Sequence, residues 1–418
     1  MGRRIYTYVV AVAVGILLSA CDVTRSLPEG SYLLSKVKIV DDKSAPRDER
    51  ITEDRDDIDM YVRQAPNKKI LGMDFYVWVW EQANPDKDNW WNKFKRKIGE
   101  EPVILDMSLT DKSITNLETY LRTKGYFHSE VTYRLDTTRR ERRADITYSI
   151  RQGEPTRINH LGYEFRDSSL RSVVLADSAG CLIKRGDPID ITLLDAERER
   201  IAANLNNRGY FDFTVNNISY EVDTLSHPYS ADVQMIIRPT LAGYNERGVP
   251  QWEDNAIYRL RNITVYPTYD PMLRSTKGFK ADADIDTTSI YGLNVVRDLK
   301  STPQLRNAVL RRTIPLYPNY IYNSEQVQHT YSELMSLGFF RNAKVDFTRV
   351  EEEDSFVSFM NVDGDGGDDL LDTRERFLDC NIYCTPALKQ SMKVELEASS
   401  TSTFYGLSAT LGYTNNNV

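Results

Sequence analysis

Few residues of this chain have the types and spacing that do covalent or metal chemistry. His128, His160, His227 and His329 each stand more than thirty residues from the next, so none offers a ligand pair. Cys380 and Cys384 lie four apart in a segment that alternates like a strand. That puts both on one side with Cα atoms ~13 Å apart, beyond disulfide reach. Cys181 stands alone, and all three thiols are expected to be packing residues. The acidic run from Asn361 to Asp372 invites a calcium reading. Counted from Asp363 as an EF-type loop, position six is Asp368 instead of Gly and position twelve is Arg374 instead of Glu. The pattern fails twice, and a solvated loop is expected. No phosphate-cradling glycine loop, Gly-x-Ser-x-Gly elbow or His-Glu-x-x-His helix occurs. The expectation is therefore no enzyme, no cofactor and no metal.

One thiol has a setting of its own. Arg3 and Arg4 precede an apolar segment, Ile5 to Leu18, closed by Ser19, Ala20 and Cys21. A positive flank, a short apolar core and small residues are the parts of a secretory signal peptide, 1–20. The segment is short for a spanning helix of ~20 apolar residues. A cysteine directly after Leu-Ser-Ala resembles a bacterial lipoprotein box, which implies lipidation of Cys21; a cleaved signal with an incidental cysteine, or an uncleaved anchor, are the alternatives. Asp22 follows, a residue that in some bacteria signals inner-membrane retention.

The elements behind this leader must supply the function. With 418 residues the prior is roughly three domains of ~150 each. Net charge is −8, from 53 basic and 61 acidic residues, with no long basic block. Nucleic acid, which needs a cationic face, is an unexpected partner.

One pattern recurs three times: Leu121 with Gly125, Tyr126 and Phe127; Leu205 with Gly209, Tyr210 and Phe211; Leu334 with Gly338, Phe339 and Phe340. Upstream, apolar residues such as Ile114, Leu117 and Leu121 fall at helical spacing. The glycine reads as the residue just past a helix, where a left-handed backbone ends it. Downstream, period-two alternation predicts hairpins, as in Val131 to Leu135 with Ala144 to Ile150, and Phe213 to Val222 with Val233 to Arg238. A strand precedes each unit, at Tyr32 to Val40, Arg157 to Phe165 and Tyr258 to Tyr266. The order is strand, helices, strand, strand, which is a small α+β layer.

A strand-helix-helix-strand-strand unit with Leu-x-x-x-Gly-Tyr/Phe-Phe between its second helix and second strand resembles a POTRA module. POTRA modules belong to bacterial outer-membrane assembly factors, the BamA/TamA-like superfamily. The first unit carries an insertion, residues 41–108, in which Trp78, Trp80, Trp90 and Trp91 precede Lys93, Lys95, Arg96 and Lys97. Two readings stay open for it: a membrane-interface segment, or a helix packed on its own domain with lysines outward. The stretches Lys68 to Gly72, Asn84 to Lys87 and Lys97 to Val103 resemble the first module of the lipidated TamA-like branch.

At the C-terminal end, Met392, Val394, Leu396 and Ala398 alternate with polar residues, and Tyr405, Leu407, Ala409, Leu411 and Tyr413 do so again. Membrane β-barrel strands and soluble hairpin edges share this signal. The run from Thr385 and Pro386 through Gly412 to Asn417 resembles the entry of a TamA-like barrel. Two strands cannot close a barrel, so a truncated record, a remainder encoded elsewhere, or a tethered arm are the readings of its end.

The expected fold class is thus α+β, three tandem POTRA modules followed by the start of a transmembrane β-barrel. Expected domains are 1–20 signal, 21–153, 154–240 and 241–385 modules, and 386–418 first barrel strands. The resemblance implies an outer-membrane location with modules in the periplasm, unfolded outer-membrane proteins as clients, and a TamB-like partner. Clients would be bound by strand addition at the second strand of each unit, about 129–135, 213–220 and 343–350. Membrane attachment would come from the lipid anchor and the barrel. The rival readings are a barrel-less periplasmic lipoprotein scaffold for protein or cell-wall partners, and a nonfunctional gene fragment.

Overall fold

The computed structural model describes residues 23–24, 27–42, 46, 50–51, 55–70, 72–83, 89–138, 142–273, 283–300, 305–350, 355–359, 371–387, 390–400 and 405–415. The leader, Cys21, Asn84 to Lys87 and the acidic run 361–370 lie outside the described residues. The chain divides into two compact units, Met1–Leu161 with Ile183–Leu194 and Val222–Val233, and Gly162–Leu182 with Asp195–Glu221 and Gln234–Val418.

The first sheet opens with β1 (Leu33–Asp41), followed by helices α1 (Arg55–Asp59), α2 (Phe75–Glu81), α3 (Trp90–Ile98) and α4 (Met107–Thr123), then β2 (Glu130–Thr138) and β3 (Arg143–Arg151). Strand order is β1-β3-β2, with β1 parallel and β2 antiparallel to β3. Asp106 caps α4 by accepting from the Ser108 amide at 2.8 Å, and the Ser108 hydroxyl, then this amide, hold its carboxyl below the usual range. Leu117, Tyr120 and Leu121 form the helix's buried stripe. Opposite it, Ala144, Ile146, Tyr148 and Ile150 on alternate positions of β3 are almost fully buried. The insertion is stitched to this core through polar side chains. Asn67 donates to the Glu101 carbonyl at 2.8 Å and accepts from the Val103 amide at 2.9 Å. Buried Asp74 pairs with Arg143 at 2.5 Å.

The second sheet contains β4 (Arg157–Phe165), α5 (Arg171–Ala176), α6 (Ile191–Asn207), β5 (Ile218–His227) and β6 (Ser230–Ile237), in the order β4-β6-β5. Its second strand starts later than alternation suggests, because Val215–Asn217 is a 3-10 turn. Asn217 is responsible. Its side chain accepts from the Thr214 amide at 3.0 Å and donates to the Pro239 carbonyl at 3.0 Å, which offers the backbone an alternative to the ladder.

Next comes a two-stranded ribbon, β7 (Thr240–Tyr244) with β8 (Pro250–Glu253), for which the sequence carried no expectation. The third sheet holds β9 (Ile257–Tyr266), the hairpin β10 (Ile285–Ile290) and β11 (Leu293–Asp298), helices α7 (Asn307–Thr313) and α8 (Ser324–Ser336), then β12 (Phe340–Arg349), β13 (Ser355–Phe359) and β14 (Leu371–Pro386). Its order is β10-β11-β9-β14-β12, with β13 also on β14. Within it, β9 is parallel to β14 and β12 antiparallel, so β9-β14-β12 repeats the arrangement of β1-β3-β2. Cys380 and Cys384 are fully buried on β14, and burial pushes both thiols up to about 12. Both cysteines are free. A final hairpin pairs β15 (Gln390–Ser400) with β16 (Tyr405–Asn415).

Candidate functional site

The recurrent leucine, glycine and aromatic residues form helix C-caps whose hydrogen bonds explain their spacing. After α4, the Tyr126 amide donates to the Leu121 carbonyl at 3.0 Å and Gly125 to Arg122 at 3.1 Å. After α6, Tyr210 donates to Leu205 at 3.1 Å and Gly209 to Asn206 at 3.4 Å. These are the paired bonds of a Schellman cap, which wants a positive φ at the glycine and an apolar contact between the leucine and the residue after the glycine. The angles are +91° at Gly125 and +104° at Gly209. Gly338, at +64°, donates to Met335 at 3.2 Å after α8. Leu121, Leu205, Leu334, Tyr126, Tyr210, Phe339 and Phe340 are buried, whereas Phe127 and Phe211 are half-buried.

Two of these caps also form joints of one design. The Gly125 carbonyl accepts from the Thr156 amide at 2.9 Å, and the Thr156 carbonyl accepts from Ile189 at 3.0 Å. The Gly209 carbonyl accepts from Tyr258 at 2.9 Å, and the Tyr258 carbonyl from Tyr322 at 2.8 Å. In each case a helix end meets the next unit's first strand and the approach to its second helix. A Cβ on Gly125 would stand 2.8 Å from the Ile189 carbonyl oxygen, and one on Gly209 would stand 2.6 Å from Ile321 Cγ2. Side chains differ between the joints. Lys124 pairs with Asp190 at 2.9 Å in the first. In the second, Asn323 donates to the Asn207 carbonyl at 2.9 Å, while Asp212 holds the Tyr258 hydroxyl and Arg349, each at 2.5 Å. Burial, then the bond to Asp212, pushes the Tyr258 phenol up to about 12.

The sheet edges follow an equally regular plan. The outer side of each first strand is covered by the segment that leads into the second helix. Leu34 of β1 donates to the Val103 carbonyl at 2.8 Å; Ile158 of β4 donates to Asp187 at 2.9 Å; Leu260 of β9 donates to Tyr320 at 2.9 Å, with β11 alongside as well. The second strands β2, β5 and β12 end their sheets, and among the described residues no strand pairs with their outer sides. An uncovered edge is a row of N–H and C=O groups that can accept another strand, and charged side chains on it restrain indiscriminate pairing. Here those charges are Arg134 with Asp136 on β2 and Lys344 with Asp346 on β12.

The last hairpin presents a different surface. Its register sets Met392 against Tyr413 and Val394 against Leu411, which gathers these apolar side chains on one face. They are exposed, as are Leu407, 82% accessible, and Leu396, 77%. The other face pairs Lys393 with Gly412, Glu395 with Thr410 and Glu397 with Ser408.

The four clustered tryptophans separate into two pairs. Trp78 and Trp80 are half-buried; Trp78 packs on the small core of Val23, Leu27, Leu33 and Val77. Trp80 lines a groove with Leu27, Pro28, Pro102 and Ile104. Trp90 and Trp91 are exposed on α3. No cluster of three or more metal-ligating side chains occurs among the described residues.

Residues 156–239 match the family model described as "POTRA: Surface antigen variable number repeat". The match spans the sheet β4-β6-β5 and its helices. No curated protein matches the chain. Among solved structures the chain is similar to POTRA3-5 of BamA from Haemophilus influenzae, at 10% identity and TM-score 0.36, covering 86% of this chain and 99% of that one. It is also similar to the N-terminal domain of Omp85 from Thermosynechococcus elongatus, at 10% identity and TM-score 0.24, covering 86% and 100%. A third, BamA from Haemophilus ducreyi lacking POTRA domains 1-3, is 12% identical at TM-score 0.32, covering 62% and 34%. The family match falls on the sheet β4-β6-β5, whose arrangement β1-β3-β2 and β9-β14-β12 repeat, and the chain is a POTRA-bearing protein.

Proposed function

We propose that the chain is a component of outer-membrane protein assembly or translocation, TamA-like, that holds unfolded barrel proteins by strand addition and passes them to a β-barrel. The observation that carries this reading is the edge plan: three sheets, each with its first strand covered and, among the described residues, no strand paired to the outer side of its second strand. Main-chain pairing at such an edge tolerates many sequences, which suits a pool of unfolded clients. Client folding itself, with handover from partners such as a TamB-like protein, supplies the driving force, and the role is non-enzymatic. The modules occupy 21–153, 154–240 and 241–385 in the periplasm. The strands of 386–418 belong to a barrel in the outer membrane, and Cys21 carries an acyl anchor. An apolar hairpin face beside a polar and glycine face is the pattern of barrel strands with lipid outside and a lumen inside. It favours the barrel over a barrel-less scaffold.

The test is photocrosslinking from the full chain. A benzophenone amino acid at Thr132, Arg134 or Asp136 of β2, or at Lys344, Asp346 or Thr348 of β12, is exposed beside a bare edge. A urea-unfolded outer-membrane barrel protein, diluted onto the chain, should crosslink at these positions and not at Asp111 or Glu333 on the helices. Crosslinks confined to the helices would overturn the proposal.

A further inference from the structure

Helix α3 is amphipathic with the wrong face inward. At ~100° per residue, Trp90, Trp91, Phe94 and Ile98 share an arc of about 100°, and Asn92 lies on the far side. Asn92 is buried at 7% exposure, while Trp90, Trp91 and Phe94 are 65%, 54% and 42% exposed. An ordinary surface helix would place these aromatics against the core.

The face is held in a fixed arrangement. Trp90 and Trp91 stack at 4.3 Å and Phe94 meets Trp91 edge-on at 5.9 Å. Asn89 caps the helix by accepting from the Asn92 amide at 2.9 Å. The opposite end is fastened to α2: Lys95 donates to the Gln82 carbonyl at 3.0 Å, and Glu100 to Tyr76 at 3.1 Å. A Cβ on Gly99 would stand 2.5 Å from the Trp80 nitrogen, so the two helices are in close backbone contact there.

Charge selects the occupant. The helix carries Lys93, Lys95, Arg96 and Lys97 and no acidic residue, in a chain whose net charge is −8. Lys93 and Lys97 flank one side of the aromatic arc and Lys95 the other. Indole rings favour the headgroup level of a bilayer, and clustered lysines beside them favour anionic headgroups.

We propose that α3 is a membrane-surface contact, with Trp90, Trp91 and Phe94 seated in the interface of an anionic bilayer and Lys93 and Lys97 on its phosphates. The contact does not depend on acylation of Cys21 or on the C-terminal hairpin.

The full chain, reconstituted with vesicles of phosphatidylglycerol and dibrominated phosphatidylcholine, tests this through tryptophan quenching, which reports local depth whatever else attaches the protein. Trp90 and Trp91 are two of five tryptophans. The W90F/W91F chain should lose at least roughly half of the bromolipid quenching, because its interfacial indoles are gone. W252F should keep it. Replacing Lys93 and Lys97 by Gln should weaken quenching on phosphatidylglycerol vesicles and leave it unchanged on neutral ones. Equal quenching of wild type and W90F/W91F overturns the contact and assigns the face to a protein. Equal effects of the lysine changes on both vesicle types overturn the anionic preference.

Discussion

Substituting the cap glycines by alanine separates the joint from the cap. Gly338→Ala places a Cβ in open space at φ +64°, near the left-handed minimum. Its cost is the left-handed strain alone, about 1–2 kcal/mol. Gly209→Ala starts at φ +104°, well past that minimum, and its Cβ meets Ile321 Cγ2 at 2.6 Å and Ile257 Cγ2 at 2.9 Å. Adding an overpacking cost of about 1–3 kcal/mol brings the total to about 2–5 kcal/mol. Gly125→Ala belongs with Gly209, since its new Cβ would press on the Ile189 backbone at 2.8 Å. A multi-domain chain has no single unfolding free energy, so the assay is native-state hydrogen exchange read by peptide mass spectrometry. In Gly209→Ala, protection should fall in peptides spanning 205–211 and 257–263, where the Gly209–Tyr258 bond sits. In Gly338→Ala the loss should be smaller and confined to the end of α8. Equal losses for the two variants, or a neutral Gly209→Ala, would refute the joint.

Two other predictions rest on separate groups. Burial pushes the Asp190 carboxyl up, but hydrogen bonds from Lys124 and Thr192 outweigh it and hold it below the usual carboxylate range. A folded pKa below the unfolded one means the stabilisation is present above the unfolded value, near 3.9, and is lost as pH falls through the folded one. Exchange in peptides around 121–126 and 187–190, corrected for intrinsic rates, should therefore rise below about pH 4. Asp190→Asn should flatten that dependence; an unchanged profile would remove the pair from the joint. On the hairpin, Leu396→Lys or Leu411→Lys should cost about 2–4 kcal/mol in a bilayer and expose β15–β16 to protease in vesicles. Ser408→Lys, on the polar face, should leave the hairpin protected, and equal sensitivity of the two faces would contradict a lipid-facing side.

Legibility in the sequence followed locality. The helix ends at Gly125, Gly209 and Gly338 were readable because a cap is specified by residues within one turn. Strand β4 was readable as the strand that precedes the second unit, and the α+β class from the recurring order. The start of β5 was not, because a single asparagine side chain diverts Thr214 to Asn217 from the ladder. Hairpin β10–β11 was missed although Tyr291 and Gly292, with φ of 46° and 77°, form the two-residue turn typical of hairpins. Its first strand, with Asp286 to Ser289, carries no apolar alternation to mark it. The covered edges and the joints are made of backbone groups at Val103, Thr156, Asp187, Ile189 and Tyr320, which leave no signature in side-chain type. The tryptophan cluster was visible as composition, but its split into packed Trp78 and Trp80 and exposed Trp90 and Trp91 depends on which side of α3 meets the domain.

The most direct measurement is hydrogen exchange of the full chain with and without a synthetic peptide of sequence YGLSATLGYTN, the chain's own residues 405–415. Strand addition predicts new protection of amides in β2, β5 and β12, with β1, β4 and the helices unchanged. Protection confined to the first strands or the helices, or none at saturating peptide, would contradict it.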